Sequence, residues 1–341
     1  MPIPTPGILR QSQTGAVWGL YMDKTRLLVL ASPSQPELAV LDRLPVQATI
    51  ANEFEAIEQA IGDAEVVLCW PGACRLLEQG WSLARDLRWV HCTYAGLDGF
   101  LFPALIESSV TVTNSRGVFS DSLGEFVIAA IMFFAKDLRR MIRSQSAESW
   151  DPFDVEEISG RTLGILGYGS IGRAIALRAK AMGMKVMALR RTAESAPSDP
   201  SVDEMLAPHR KMELMARCDY LVVTMPLTPE TVGMVGADEF EAMKPGTVII
   251  NVGRGPVIDE GSLIRALLEE KIRGAALDVF TTEPLPKGHP FYRMENVLLS
   301  PHCADHTPRW LWDTMELFAE NLGRYRRGEP LLNVVDKRRG Y

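Results

Sequence analysis

Six consecutive residues, Gly167-Tyr168-Gly169-Ser170-Ile171-Gly172, constrain this chain more than any other segment. They follow the apolar run TLGIL (162–166) directly and open the helical run RAIALRAKAMG (173–183). Between a buried strand and a helix each glycine has a task. Gly167 permits the tight turn, Gly169 lets the backbone approach a pyrophosphate, and Gly172 allows close helix–strand contact. The helix start adds unpaired N–H groups and a partial positive charge, which suit phosphate. The spacing therefore predicts a dinucleotide-binding βαβ unit, with Tyr168, Ser170 and Ile171 carried in the same loop.

Further short apolar runs follow at 185–189 (KVMAL), 220–224 (YLVVT), 247–252 (TVIINV), 275–280 (AALDVF) and 296–300 (NVLLS), with helical stretches such as Leu263–Glu270 between them. Six buried strands with intervening helices make a complete doubly wound parallel sheet. Upstream, strands at 26–30, 65–70 and 87–92 and a helix near 53–61 form a first α/β unit that closes near 110–113. A long helix is expected over 120–144. A last helix, 310–327, comes after the final strand and returns to the first unit. The stretch 192–201 reads as a loop, and MPIPTPGILR at the start reads as a surface arm rather than a secretory signal.

The length of 341 residues suits two domains rather than one core. Lys and Arg total 36 against 43 Asp and Glu, a formal net charge of −7, so a nucleic-acid partner is not expected. The longest unbroken apolar run, Phe126–Ala135, is half of what a membrane helix needs, so it is expected in a core or subunit contact and no membrane partner is expected. Five cysteines without a CxxC pair point to a reduced, cytoplasmic compartment.

The residues after each strand indicate the chemistry. Where an NAD site places an acid on the ribose 2′-OH, the strand 185–189 is followed by Arg190-Arg191-Thr192. Two guanidiniums and a hydroxyl suit a 2′-phosphate, so NADP(H) is expected over NAD(H), with NAD(H) still possible. Arg254 sits between glycines after 247–252, Glu283 follows 275–280, and His302 follows 296–300. Reduction of a 2-oxo acid needs a proton donor at the carbonyl oxygen, and His302 suits that role. A carboxylate beside it, Glu283, favours the imidazolium. Arg254 can clamp the substrate carboxylate and polarise the carbonyl. A metal is not required; His302-x-x-x-His306 with Cys303 does not share a helical face, so zinc is disfavoured. Trp310 and Trp312 could cap a substrate pocket or pack the last helix.

At this point the chain resembles the D-isomer-specific 2-hydroxyacid dehydrogenases. The resemblance rests on YAGLDGF (94–100), TNSRGVFSD (113–121), GYGSIGRAIA (167–176), MPLTPET (225–231), NVGRG (251–255), LDVFTTEP (277–284) and SPH (300–302). It implies two Rossmann-like doubly wound parallel-sheet domains with the active site in the cleft. The substrate domain would comprise 1–112 plus 306–341, and the dinucleotide domain 113–305. It further implies that Ala95 and Gly96 offer backbone N–H groups to the substrate carboxylate. Thr224, Pro226, Val252, Gly253, Arg254 and His302 would line the cofactor, and Asp278 would lie near the nicotinamide amide. A homodimer through the 120–140 helix and a small 2-oxo or 2-hydroxy acid as substrate are implied as well. Arginine at 190 fits the NADP-preferring glyoxylate/hydroxypyruvate reductase branch. Pro301 before the histidine disfavours formate, and Cys303 to His306 depart from the small residues common in the family. Some relatives act instead as dinucleotide-sensing co-repressors, a role that the Arg–Glu–His set alone does not exclude.

Overall fold

The computed structural model describes residues 24–192 and 198–341. The arm expected over residues 1–10 and the middle of loop 192–201 lie outside the described residues.

Short, uninterrupted apolar runs build two parallel sheets. The first contains β1 (Thr25–Leu30), β2 (Val46–Ala51), β3 (Val66–Cys69), β4 (Trp89–Cys92) and β5 (Thr111–Asn114) in the order β2-β1-β3-β4-β5. The second contains β6 (Thr162–Leu166), β7 (Lys185–Leu189), β8 (Glu204–Leu206), β9 (Tyr220–Val223), β10 (Val248–Asn251), β11 (Gly274–Leu277) and β12 (Val297–Leu299). Its order is β12-β11-β10-β9-β6-β7-β8. The chain leaves β6 in one direction through β7 and β8, then returns to place β9 on the other side of β6. That reversal opens a crevice at the carboxyl ends of β6 and β9, where sheets of this type bind ligands.

Alternate residues of each strand enter different cores, as a sheet covered on both faces requires. In β9, Leu221 and Val223 join one core with Leu214 of α7 (Lys211–Arg217), Phe240 of α8 (Ala237–Ala242) and Leu263 of α9 (Glu260–Leu268). Tyr220 and Val222 join the other with Val127 and Ile131 of α4 (Ser120–Ala135) and Ile175 of α6 (Ser170–Ala181). The first sheet is covered on one face by α1 (Phe54–Ala60), α2 (Cys74–Gly80) and α3 (Pro103–Glu107). Its other face takes Met315, Phe318 and Leu322 of α10 (Trp310–Arg327) against Leu27, Val29 and Trp89. The Trp89 and Phe318 rings stack at 5.4 Å. So α10 follows the last strand of the second sheet and packs on the first. The remaining chain continues the return: Val334 bridges to Thr113, and the Val335 N–H donates to the Val112 carbonyl at 2.9 Å.

The helix expected over 120–144 is two helices. Lys136 ends α4, Asp137 adopts φ 46°, and α5 (Leu138–Ser146) begins there, with the Asp137 carboxylate accepting from the Arg140 N–H at 3.3 Å. Asp tolerates the left-handed region and caps a following helix, which explains a break without glycine or proline. The apolar run 126–135 buries Val127, Ala130, Ile131, Phe134 and Ala135 within the chain itself. No described helix is long and apolar enough to cross a membrane.

Candidate active site

The residues singled out by sequence converge on the carboxyl ends of the strands. Gly167 follows β6, Arg190 follows β7, Thr224 follows β9, Val252 to Arg254 follow β10, and Asp278 follows β11. His302 lies three residues beyond β12, and Ala95-Gly96 three residues beyond β4 of the other sheet.

His302 Nδ1 lies 2.6 Å from Glu283 Oε2. The other Glu283 oxygen, Oε1, accepts the Phe280 N–H at 2.9 Å, so both carboxylate oxygens are engaged. An ionised carboxylate only accepts, so Nδ1 carries a proton and Nε2 is the nitrogen left for proton exchange. His302 itself has φ 53°, in the left-handed region that few residues other than glycine adopt. A buried acid holds it there: Asp278 is 2% exposed, and its Oδ1 accepts from Ser300 Oγ at 2.6 Å, the Cys303 N–H at 3.0 Å and the Ala304 N–H at 3.1 Å. The acid expected near a nicotinamide amide therefore braces the turn that carries the histidine. Burial raises the carboxyl of Asp305 above the ordinary carboxylate range, opposed by the charges of His306 and His302. The His306 ring stacks on Trp310 at 5.4 Å, and Trp310 lies 6.0 Å from Phe119. Trp312 instead packs against the first-sheet core with Phe318.

Arg254 is placed by its neighbours on both sides of the cleft. Asn251 accepts the Gly253 N–H at 3.0 Å and donates to the Arg254 carbonyl at 3.0 Å, fixing the turn after β10. The Arg254 guanidinium donates from Nε to Asp98 Oδ1 at 2.9 Å and from Nη1 to the Gly253 carbonyl at 2.7 Å. It rests on the backbone of Gly96, where an added Cβ would lie 1.4 Å from Nη2. Any other residue at 96 would evict the guanidinium. Of the five N–H bonds of an arginine two are engaged, which leaves three for an anion. Asp98 was missed by sequence reasoning, although it is a carboxylate two residues beyond the Ala95-Gly96 turn.

The glycine-rich turn has the geometry that its sequence predicts. Gly167 adopts φ 103°, and a Cβ at Gly172 would lie 2.7 Å from the Gly167 carbonyl oxygen. A Cβ at Gly169 would meet no atom within 4 Å, so open space fronts the start of α6, which has no side-chain cap. The Thr224 hydroxyl donates to the Gly167 carbonyl, and the Thr231 hydroxyl to the Pro226 carbonyl at 2.7 Å. Val252 is buried beside Gly253, where a Cβ would meet the Met225 carbonyl oxygen at 2.8 Å. These features fit a dinucleotide with its pyrophosphate on Gly169, Ser170 and Ile171. Tyr168 points elsewhere: its hydroxyl donates to Asp199 Oδ2 at 2.9 Å, which also accepts Arg173 Nε at 3.0 Å. At the end of β7, Arg190 is half-buried, and Arg191 and Thr192 are exposed. The Arg191 guanidinium lies 5.3 Å from the Tyr341 ring centroid. Glu230 is held below the usual carboxylate range by the Thr228 hydroxyl and its own backbone N–H, with a further contribution from the charge of Arg191.

Residues 128–304 match the NAD-binding domain of the D-isomer-specific 2-hydroxyacid dehydrogenases. Over 261 residues the chain is 34% identical to a glyoxylate reductase of Korarchaeum cryptofilum, covering 74% of this chain and 77% of that protein. It is 31% identical over 321 residues to a D-3-phosphoglycerate dehydrogenase of Methanocaldococcus jannaschii, 91% of this chain but only 59% of that protein. Among solved structures, a D-isomer-specific 2-hydroxyacid dehydrogenase from Xanthobacter autotrophicus in complex with NADPH superposes with a TM-score of 0.82 at 29% identity, covering 93% of this chain and 100% of that one. An NADPH-dependent glyoxylate/hydroxypyruvate reductase from Sinorhizobium meliloti in complex with NADP and sulfate gives 0.81 at 26% identity, over 92% and 99%.

Proposed function

The chain belongs to the D-isomer-specific 2-hydroxyacid dehydrogenase family, and on that premise we propose that it is an NADPH-preferring reductase of small 2-oxo acids of the glyoxylate or hydroxypyruvate type. The observation that carries the cofactor preference is the pair Arg190-Arg191 at the end of β7, where an acid would serve a free 2′-OH. Guanidiniums donate bidentately to phosphate and offer nothing to a hydroxyl that seeks an acceptor. The NADPH and NADP complexes of the Xanthobacter and Sinorhizobium proteins support the same reading.

In the proposed reaction, the unused N–H bonds of Arg254 and the backbone N–H groups of Ala95 and Gly96 hold the substrate carboxylate. A bound nicotinamide supplies the hydride. His302 gives a proton from Nε2 to the carbonyl oxygen as charge gathers there. Glu283, 2.6 Å from Nδ1, steadies the ring and leaves Nε2 as the nitrogen that serves the carbonyl oxygen. Asp278 acts on the turn that orients the ring.

The substrate domain is proposed to comprise residues 1–112 with 306–341, and the dinucleotide domain 113–305. We propose a cytoplasmic homodimer joined through the α4–α5 region. In its support, α5 and the chain after it expose the apolar side chains Ile142 (61%), Trp150 (96%) and Val155 (47%).

The test is a spectrophotometric assay with NADPH or NADH against glyoxylate, hydroxypyruvate, pyruvate and a bulkier 2-oxo acid. Turnover of the small acids with NADPH favoured is expected, and His302→Ala is expected to remove most of the rate while NADPH still binds. Absence of turnover with every acid refutes the reductase reading. Equal use of NADH refutes the cofactor preference and directs attention to Glu230 as an acceptor for the ribose.

A further inference from the structure

The last residues of the sequence have no part in the reaction described above, yet they reach the end of β7. Their path is closely tied down. Lys337 Nζ donates to the carbonyls of Leu105 (2.9 Å), Ser108 (2.6 Å) and Val110 (3.0 Å). Asp336 Oδ1 accepts the N–H groups of Arg338 at 3.1 Å and Arg339 at 3.2 Å, and its carbonyl accepts the Gly340 N–H at 2.9 Å. The Asp336 N–H donates to the Tyr341 carbonyl at 3.2 Å, which closes the turn. The backbone at Tyr341 is thereby tied to the segment between α3 and β5, and its ring sits 5.3 Å from the guanidinium of Arg191, which follows β7 of the second sheet.

We propose that Tyr341 is a cofactor-specificity residue: its ring holds Arg191 by one face, so that the guanidinium edge is already aimed when a cofactor 2′-phosphate arrives. The inference rests on the NADPH reading above and deepens it. A ring attracts a guanidinium through its face, whereas phosphate is gripped by in-plane N–H bonds, so the two interactions do not compete. An exposed arginine must otherwise give up its rotamer freedom on binding, and a pre-placed one gives up less. NADH, which lacks the 2′-phosphate, makes no use of that edge. Ring and arginine come from different sheets, so the grip is complete only while the two domains stand together.

The experiment is a fluorescence titration of the full chain with NADPH and with NADH. It compares wild type, Tyr341→Phe, Tyr341→Ala, Arg191→Gln and the double variant Arg191→Gln/Tyr341→Ala. Tyr341→Ala keeps the backbone and removes the ring, so NADPH should bind about two- to five-fold more weakly, the size of an exposed cation–π contact, with NADH unchanged. Tyr341→Phe should bind both as wild type does. In the Arg191→Gln background, loss of the ring should have no further effect. Equal weakening of NADPH and NADH by Tyr341→Ala, or the same loss in the Arg191→Gln background, overturns the proposal in favour of a purely structural tail. So does a Phe variant as weak as the Ala variant. Wild type without a preference for NADPH overturns the cofactor reading and this proposal with it. A preference that survives Tyr341→Ala unaltered overturns this proposal alone.

Discussion

Asp98 presents a choice between two opposite effects, and the sign of one mutation decides between them. Its carboxylate holds Arg254 Nε at 2.9 Å across the cleft, with the two side chains 35% and 26% exposed. As a positioning group it aims the guanidinium. As a charge it repels the substrate carboxylate that shares the same arginine, but Asp98 is over a third exposed, and solvent screening brings that repulsion down towards about 1 kcal/mol, the value for unit charges 4 Å apart in water. Without Asp98 the guanidinium retains one hydrogen bond, to the Gly253 carbonyl, and the support of Gly96. A displacement of about 1 Å at such a group costs roughly 100-fold in rate, or about 2.7 kcal/mol at 1.36 per decade. Asp98→Asn keeps an acceptor in place but loses charge assistance, about half the strength of the bond, and should cost roughly ten-fold. We therefore expect kcat/KM to fall about 100-fold in Asp98→Ala and about ten-fold in Asp98→Asn. The loss should lie mainly in kcat, with NADPH affinity unchanged. Steady-state kinetics with a small 2-oxo acid measures both. If Asp98→Ala lowers KM and leaves kcat/KM at or above wild type, Asp98 is a competitor for Arg254 and not its guide.

Two further outcomes are open to measurement. Gly96→Ala would set a Cβ 1.4 Å from Arg254 Nη2, so it should displace the guanidinium and lower kcat/KM by about 100-fold or more with little change in NADPH binding; near-normal kinetics would show that the arginine does not need this seat. His91 is fully buried among Trp89, Thr113 and Ser115, with Nδ1 2.7 Å from Thr113 Oγ1, and burial pushes its pKa down to about 3. The unfolded chain then binds a proton that the fold does not, so this residue weakens the fold as pH falls from about 6.5 towards 3. At pH 5 that amounts to about 2 kcal/mol, at about 1.4 per pH unit. Urea unfolding at pH 7.5 and 5.0 should show wild type losing about 2 kcal/mol more than His91→Gln, and equal losses would remove His91 as the cause.

Much of this molecule was legible in its sequence because its strands are buried on both faces. TLGIL and KVMAL, continuous apolar runs, are strands over the same residues that pattern alone indicates. The strands that escaped notice, β2 (VQATIA) and β8 (EML), lie at sheet edges. Four of the six β2 residues are exposed, so no apolar pattern marks them. Edge strands are specified by backbone pairing with a neighbour, which composition does not record. The same distinction holds in the site. Arg254, Glu283 and His302 were found because each follows a strand end, a local signal. The partners that place them were hidden by distance along the chain. Asp98 is 156 residues from Arg254, and nothing in either segment names the other. Asp278 lay inside the strand expected over 275–280 and was singled out only through the resemblance, and its grip on the 300–304 turn comes from the pairing of β11 with β12.

Those hidden partners share a physical logic. An arginine that serves a dissociable anion needs a permanent contact that spares the edge the anion will use. Asp98 does this for Arg254 by taking Nε alone, and Tyr341 does it for Arg191 by taking one face of the guanidinium. Both arginines rise from the second sheet and both partners hang from the first. On the proposed assignment, one arginine meets the substrate carboxylate and the other the cofactor phosphate, so both ends of the cleft are organised by the same approach of the two domains. Parting the domains would release both guanidiniums at once and weaken the hold on each anion together. Binding either anion would, by the same linkage, favour the arrangement that completes the site for the other.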